Sequence, residues 1–228
     1  MKYRSPLVSQ GSGSVAGCTF SHNRFGNYIR NRTVPTNPNS VMQGDIRTAF
    51  SNLATDWHMT LDDVARMGWD NFAANMPLID SLGQTYFLTG FNWYIACNAT
   101  RSYFGKAANS IAPVMFNMSP LQPITVTGDS ASGDATITFN NGDEWATAVG
   151  GYLFLFYGRP TNTTINFYKS PFSKLTVING AVVPPTSPKV QAWPGGLMVG
   201  VRYWLRAISC NVDGRISVPQ IIPFDVII

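Results

Sequence analysis

The positive charge of this chain is concentrated at its N-terminus, which limits how that part can fold. The first 47 residues hold six basic side chains and one acidic side chain, whereas the remaining 181 hold ten basic and eleven acidic ones. The basic segment is also rich in glycine and serine, so it cannot bury enough apolar surface to fold alone. We therefore expect residues 1–38 to form an extended basic arm that becomes ordered against another surface.

Two alternating segments within the arm predict a β-hairpin. SVAGCTF and NYIRNRTV alternate in character, and SHNRFG between them contains the asparagine and glycine that turns favour. Pro35 and Pro38 then disfavour helix at Val34 and Asn37. We expect the chain to leave the hairpin in an extended conformation.

Residues 39–118 are predicted to form a small helical subdomain. Apolar residues recur there at intervals of three and four, as one face of a helix requires. In the first helix they are Met42, Ile46, Ala49, Phe50, Leu53 and Trp57. The spacing of Thr60 and Asp63 is typical of a capping box, so we expect Thr60 to begin the second helix. Thr89 is expected to cap a third.

Residues 119–228 are predicted to form a β-sandwich, which makes the whole chain an α+β protein. Short strands follow one another about every 8–15 residues, with Gly, Asn and Asp between them. Their sequences are ITVTGD, ATITFNNGD, GGYLFLFYGRP, TINFYKS, KLTVING, VGVRYWLRAIS and GRISVPQIIPFDVI. In the last hairpin, Tyr203, Leu205 and Ala207 form a pattern that resembles the penultimate strand of fibronectin type III and immunoglobulin-like domains. That resemblance implies a fold and no chemistry.

Residues suited to catalysis are scarce. The chain has two histidines, His22 and His58, and a single glutamate, Glu144. No GxSxG, HExxH, GxGxxG or Walker-type sequence is present. Glu144 adjoins an aspartate in NNGDEW, a composition typical of a polar turn. We therefore expect no catalytic residue and no enzyme activity.

Metal, cofactor and membrane sites are not expected either. Cys18, Cys97 and Cys210 lie far apart with no CxxC pair, so they offer neither a zinc site nor an even set for disulfides. No run of about 18 apolar residues predicts a membrane span, and MKYRSPLVSQ lacks the apolar stretch of a secretory signal. A minor alternative is a calcium site, whose ligands would be Asp129, Asp134 and Asp143.

The arm and the first helix together read SxxGxxxSHNRFGNYIRNRTVPTNPNSxxQxxxRxxFxxLxxxW. This pattern resembles an uncharacterised protein family found in bacteriophage and bacterial genomes, and GW…LTGFNWYIACNATR extends the resemblance over residues 11–101. It implies a phage-associated setting and no established activity. The residues that we expect to make subunit contacts are Arg24, Phe25, Tyr28, Arg30, Arg32, Pro35, Asn37, Pro38, Gln43 and Arg47.

We therefore expect a non-enzymatic structural protein of a phage virion, assembled in the host cytoplasm. A capsid decoration or cement protein is favoured: a homo-oligomer whose arm docks onto other virion proteins. A head–tail connector or tail component is an alternative. Only 12% of the residues are charged. A protein with so few charged side chains is prone to associate. The sequence is also compatible with nucleic-acid binding through the arginines and aromatics of the arm. A further alternative is a glycan-binding module displayed on the virion, which would use exposed aromatics such as Trp145, Trp193 or Trp204.

Overall fold

The computed structural model describes residues 11–23, 26–80, 83–116, 118 and 120–226. The chain divides into two compact units, Met1–Ser40 and Val41–Ile228. It is an α+β protein in which helices precede a sheet-rich C-terminal part.

The first unit contains a three-stranded antiparallel sheet. Its strands are β1 (Gly13–Val15), β2 (Cys18–Asn23) and β3 (Gly26–Asn31), in that order across the sheet. Strands β2 and β3 form the predicted hairpin, but a turn at Ala16 and Gly17 divides the predicted strand SVAGCTF between β1 and β2. Residues 21–23, for which the sequence predicts a turn, are paired in β2 instead. The pairing of β2 with β3 extends to Asn23 and Gly26, and Gly26 adopts a φ of +109°, a conformation that other residues rarely tolerate.

Three helices begin the second unit. They are α1 (Val41–Thr55), α2 (Asp63–Ala74) and α3 (Gly90–Tyr103). A π-helical turn, Asp56–Thr60, continues from α1. A short hairpin of β4 (Leu78–Ile79) and β5 (Thr85–Tyr86) lies between α2 and α3.

The starts of α2 and α3 test the capping predictions. Thr89 caps α3 as predicted, since its side chain accepts a hydrogen bond from the backbone N–H of Asn92 at 3.4 Å. The prediction for α2 was wrong. Thr60 ends the π-helical turn, and the cap of α2 is Asp62, which has an extended backbone and whose carboxylate accepts from the N–H of Ala65 at 2.8 Å.

An aromatic cluster joins the three helices. Trp69 of α2 and Tyr94 of α3 are fully buried, with ring centroids 5.5 Å apart, and the ring centroid of Trp57 also lies 5.5 Å from that of Tyr94. The predicted apolar face of α1 is only partly buried. Ile46 and Phe50 remain 43% and 49% exposed, whereas Ala49 and Leu53 are the buried residues of α1, which packs against α3.

Eight strands lie between residues 120 and 226. They are β6 (Thr125–Asp129), β7 (Asp134–Thr138), β8 (Tyr152–Gly158), β9 (Thr161–Asn162), β10 (Phe172–Asn179), β11 (Lys189–Ala192), β12 (Val201–Cys210) and β13 (Gln220–Asp225). One antiparallel sheet has the order β11-β7-β6. The other has the order β10-β8-β12-β13, with β9 also paired to β12.

The two sheets share one apolar core. Ile137 of β7, Leu155 of β8, Leu205 of β12 and Phe224 of β13 all belong to it, and each is at most 6% exposed. Burying such side chains contributes roughly 1.5–3 kcal/mol each. This core is the main stabilising feature of the C-terminal part.

The strands of the C-terminal part differ from the prediction in three places: one predicted strand does not form, and two strands, β9 and β11, were not predicted. Residues 164–170 form no strand; Tyr168 is instead fixed by its hydroxyl, which accepts from the N–H of Arg159 at 3.2 Å and donates to the carbonyl of Pro171 at 2.6 Å. Conversely, Lys189–Ala192 was not predicted and pairs with β7. Its four residues alternate half-buried and exposed, too short a pattern to recognise in a proline-rich stretch.

The helical layer covers the outer face of the second sheet. Phe104, directly after α3, lies 4.9 Å from Phe154 and 5.0 Å from Phe156, measured between ring centroids. A second contact is made by Arg101 of α3, whose guanidinium carbon lies 5.0 Å from the centroid of the Tyr152 ring. Strand β8 is therefore buried on both faces, which joins the helices and the sheets into one compact unit.

Candidate assembly surfaces

The arm hairpin places two of the predicted contact residues on one face. Tyr28 is paired with Ser21 and Arg30 with Thr19, so these four side chains project to the same side of the sheet. Phe20 and Ile29, also paired, belong to the opposite side. Tyr28 is half-buried and Arg30 is exposed. One face of the arm thus combines an aromatic ring with a cation.

The remaining predicted contact residues are divided between the two units. Arg32 follows β3, and its N–H donates to the carbonyl of Gly17 at 2.8 Å. Pro35, Asn37 and Pro38 lie in an exposed, irregular segment. Gln43 and Arg47 lie in α1, which belongs to the second unit. Arg24 and Phe25 lie outside the described residues.

The charges of the arm have no balancing acidic residues within it. Residues 1–40 contain five basic side chains and no aspartate or glutamate. Arg30 and Arg32 are exposed and form no ion pair within the described part of the chain. The arm is therefore suited to contact an acidic surface.

A groove on the second unit was not predicted. It lies between α2 and the irregular segment 110–116 and has a volume of about 770 Å³. We call it the α2 groove. Its apolar lining includes Val64, Ala65, Phe72, Ile111, Val114 and Phe116. Segment 110–116 is held against α2 because the indole N–H of Trp69 donates to the carbonyl of Ser110 at 3.0 Å.

Apolar side chains around the α2 groove are unusually exposed. Val64 is 75% exposed, Ile111 75% and Val114 85%. The ring of Phe116 stacks on that of Phe72 at 5.9 Å and stays 44% exposed. A contiguous apolar patch with a polar margin is typical of a site that binds another molecule.

The margin of the α2 groove is acidic. Asp62 lines it, and the neighbouring Asp63 side chain is 93% exposed. Arg66 directs its Nε and Nη2 to the carbonyl of Leu61, at 3.1 and 2.7 Å, and its Nη1 lies 3.6 Å from Asp63. An ion pair this exposed neutralises the carboxylate only weakly. Between residues 56 and 80 the sequence has five aspartates and one arginine.

The single glutamate, Glu144, takes part in a network of hydrogen bonds and ion pairs that holds two loops together. Glu144 lies in a turn, as predicted, and its carboxylate accepts from Nδ2 of Asn211 at 2.6 Å. Nη2 of Arg215 is 3.4 Å from the other oxygen, and Nε of Arg215 pairs with Asp213 at 2.6 Å. This network fixes the turn after β12 to the loop that precedes β8.

The calcium alternative lacks a converging set of ligands. The carboxylate of Asp129 is occupied by its own turn, where it accepts from the N–H of Ala131 at 2.8 Å and from the hydroxyl of Ser132 at 3.0 Å. These hydrogen bonds hold the pKa of Asp129 below its usual value. Among the described residues, no group of three or more His, Cys, Asp or Glu side chains could hold a metal ion.

The tryptophans that a glycan site would require are buried. Trp145 is 2% exposed, Trp193 5% and Trp204 2%. Trp204 stacks on Tyr168 at 5.5 Å and donates from Nε1 to the hydroxyl of Thr161 at 2.8 Å. These side chains therefore serve the core of the protein and offer no platform for a sugar ring.

Comparison with known proteins adds no relative: no family model, curated protein or solved structure matches the chain. Within the described parts of the chain, no helix has both the length and the apolar character needed to cross a bilayer.

Proposed function

We propose that this chain is a non-enzymatic structural protein that assembles through its N-terminal arm. The observation that carries the proposal is a separate compact unit with basic side chains and no acidic ones, in which Arg30 and Arg32 are exposed and form no ion pair with any described residue. An assembly contact neutralises such charges against a complementary surface, which speeds encounter and fixes register. Arginine is also enriched at the energetically dominant positions of interfaces.

The setting that we propose is a phage virion. The resemblance of residues 11–101 to a phage and bacterial family supports it, and so does a composition in which only 12% of the residues are charged. Capsid decoration or cement is the favoured role, with a head–tail connector or tail component as the alternative. In each role, the arm of one copy contacts a neighbouring subunit, and the surface buried at that contact offsets the entropy lost on association.

We also propose an immunoglobulin-like or fibronectin III-like identity for the two packed sheets. Their seven longer strands divide three and four between two antiparallel sheets, which supports this identity. A further support is Tyr203, near the start of the penultimate strand. Its hydroxyl accepts from the backbone N–H of Met198 at 3.0 Å, five residues upstream. A tyrosine bonded back to the preceding backbone in this way is typical of such domains.

The proposed assembly role is tested by reversing the charge of the arm in the full-length protein. We expect Arg30→Glu combined with Arg32→Glu to abolish self-association, measured as molar mass by light scattering across a range of protein and salt concentrations. The matched control is Arg159→Glu with Lys169→Glu, two exposed basic residues outside the arm. The proposal would be overturned if the wild-type protein stays monomeric in solution and is also not incorporated into phage virions.

Nucleic-acid binding remains the second candidate, because Tyr28 and Arg30 share a face and could stack on a base and pair with a phosphate. The same variants test it. Binding of a single-stranded oligonucleotide that weakens steeply with salt and is lost in the arm variant would favour this function over assembly.

A further inference from the structure

We infer that the α2 groove is the receptor for the arm of a second copy of this chain. This inference rests on the proposed assembly function and adds the surface that the arm would occupy. It follows from the match between two features of the molecule: a basic arm with an aromatic face, and an apolar groove with an acidic margin.

The groove needs an apolar occupant. Val64, Ile111 and Val114 are each at least 75% exposed, so a ligand that covers them removes apolar surface from water. A volume of about 770 Å³ is within the range that accommodates several side chains. The face of the arm that presents Tyr28 carries a ring of the kind that fills such pockets at interfaces.

The margin of the groove selects the charge of its occupant. Asp62 and Asp63 are exposed, and Arg66, the basic residue closest to them in sequence, has two of its guanidinium nitrogens bound to the carbonyl of Leu61. An occupant that is apolar and cationic therefore fits, whereas an acidic one is repelled. Arg30 projects from the same face of the arm as Tyr28, so one surface supplies both properties.

A second copy is the occupant that makes this contact useful for assembly. An arm on one copy and a groove on the next form a head-to-tail contact between two different surfaces. Contacts of this kind propagate from subunit to subunit and either close into a ring or extend as an open filament. Each copy then offers one arm and one groove, and no further component is needed.

The test blocks the groove without disturbing the core. Val64→Lys combined with Val114→Lys places two cations on the apolar lining, at positions too exposed to contribute to packing. The matched control is Val182→Lys with Val183→Lys, because both of these valines are 81% exposed on a different loop. We expect the groove variant to lose self-association as completely as Arg30→Glu/Arg32→Glu, and the control to retain it.

Mixing the two defective full-length variants gives the decisive result. The groove variant keeps its arm, and the arm variant keeps its groove, so together they should form one contact and give a 1:1 dimer by light scattering. That dimer would also prove that both variants are folded. No dimer in the mixture, or a groove variant that assembles like the wild type, would overturn the inference.

The outcomes separate this inference from the proposed function. If the arm variant fails to assemble and the groove variant succeeds, the arm docks on another surface and the assembly function stands. If both variants are monomeric and never form a mixed dimer, the groove is not the receptor for a second copy's arm. If neither change affects a wild-type oligomer, both proposals fail.

Discussion

Arg202 and Asp225 form a two-bond ion pair across the last two strands of the protein. Nε of Arg202 donates to Oδ1 of Asp225 and Nη2 donates to Oδ2, both at 2.7 Å, and the two residues are directly opposite in the β12–β13 register. Nη1 of the same arginine donates to the carbonyl of Ile165 at 3.0 Å. The pair therefore fixes the edge strand and the loop before β10 together.

The ion pair predicts a pH dependence of stability. Hydrogen bonds from Arg202 lower the pKa of Asp225, so the folded state binds this proton less readily than the unfolded state. The stabilisation is fully present above the pKa of an unfolded aspartate, about 3.9, and is lost as the pH falls through the lowered pKa. We expect Asp225→Asn to destabilise the protein at pH 7 and to differ less from the wild type in acid. Thermal unfolding across pH measures this, and a constant difference would contradict it.

We expect replacement by alanine to have opposite effects on stability at two helical glycines, Gly44 and Gly90. A Cβ at Gly90 would lie 2.7 Å from the backbone N of Asp70 and 2.8 Å from the carbonyl carbon of Trp69, whereas one at Gly44 would meet nothing within 4 Å. We expect Gly90→Ala to destabilise by about 1–3 kcal/mol through overpacking. Gly44→Ala should stabilise by roughly 0.5–1 kcal/mol because alanine favours helix. Denaturant unfolding of both variants measures the difference, and equal effects would contradict the close packing of α2 on α3.

Phe104 is predicted to couple the helices to the sheet. Its ring contacts Phe154 and Phe156 on the outer face of β8, so Phe104→Ala should cost about 3 kcal/mol, the lower end for such truncations because the side chain is only partly buried. Phe167→Ala, at a position 75% exposed, is the matched control and should be nearly neutral. Calorimetry measures both. Two separate transitions in the Phe104 variant would show that the helical layer can unfold alone.

The three cysteines are predicted to react at very different rates. Cys18 is exposed, whereas Cys97 and Cys210 are buried. Burial raises the pKa of Cys97 to about 12 and also raises the pKa of Cys210, so both remain thiols at pH 8. We expect iodoacetamide to label only Cys18 in the native protein and all three after denaturation. Mass spectrometry locates the label, and rapid native labelling of Cys97 would contradict the buried site.

The regular elements were largely predictable because local patterns specify them. The arm hairpin, the three helices, the cap at Thr89 and most strands follow from periodicity and turn residues. The α2 groove could not be predicted, because its second wall is the irregular segment 110–116, held by a long-range hydrogen bond from Trp69. Asp62 displaced Thr60 as the cap because the π-helical turn shifted the helix start, an effect that spacing alone does not reveal.

The sequence did contain one indication that the helical layer covers the sheet around β8. The run GGYLFLFYG is continuously apolar, whereas a strand with one wet face alternates. Such a run indicates burial on both faces and could have predicted that another layer lies over β8. The partner in that layer, Phe104, lies 50 residues upstream of Phe154 and has no pattern that links it to the strand.

The contact between Arg101 and Cys210 has a consequence for the order in which parts of the protein fold during synthesis. Nη1 of Arg101 lies 3.6 Å from Sγ of Cys210, a residue 109 positions later in the chain. Pairings of such separation form slowly, since a long loop must close before they contribute. During synthesis the helices leave the ribosome first, with Arg101 and Phe104 still uncovered. The contact that Arg101 makes with Cys210 can form only after the strand that ends at Cys210 has been translated.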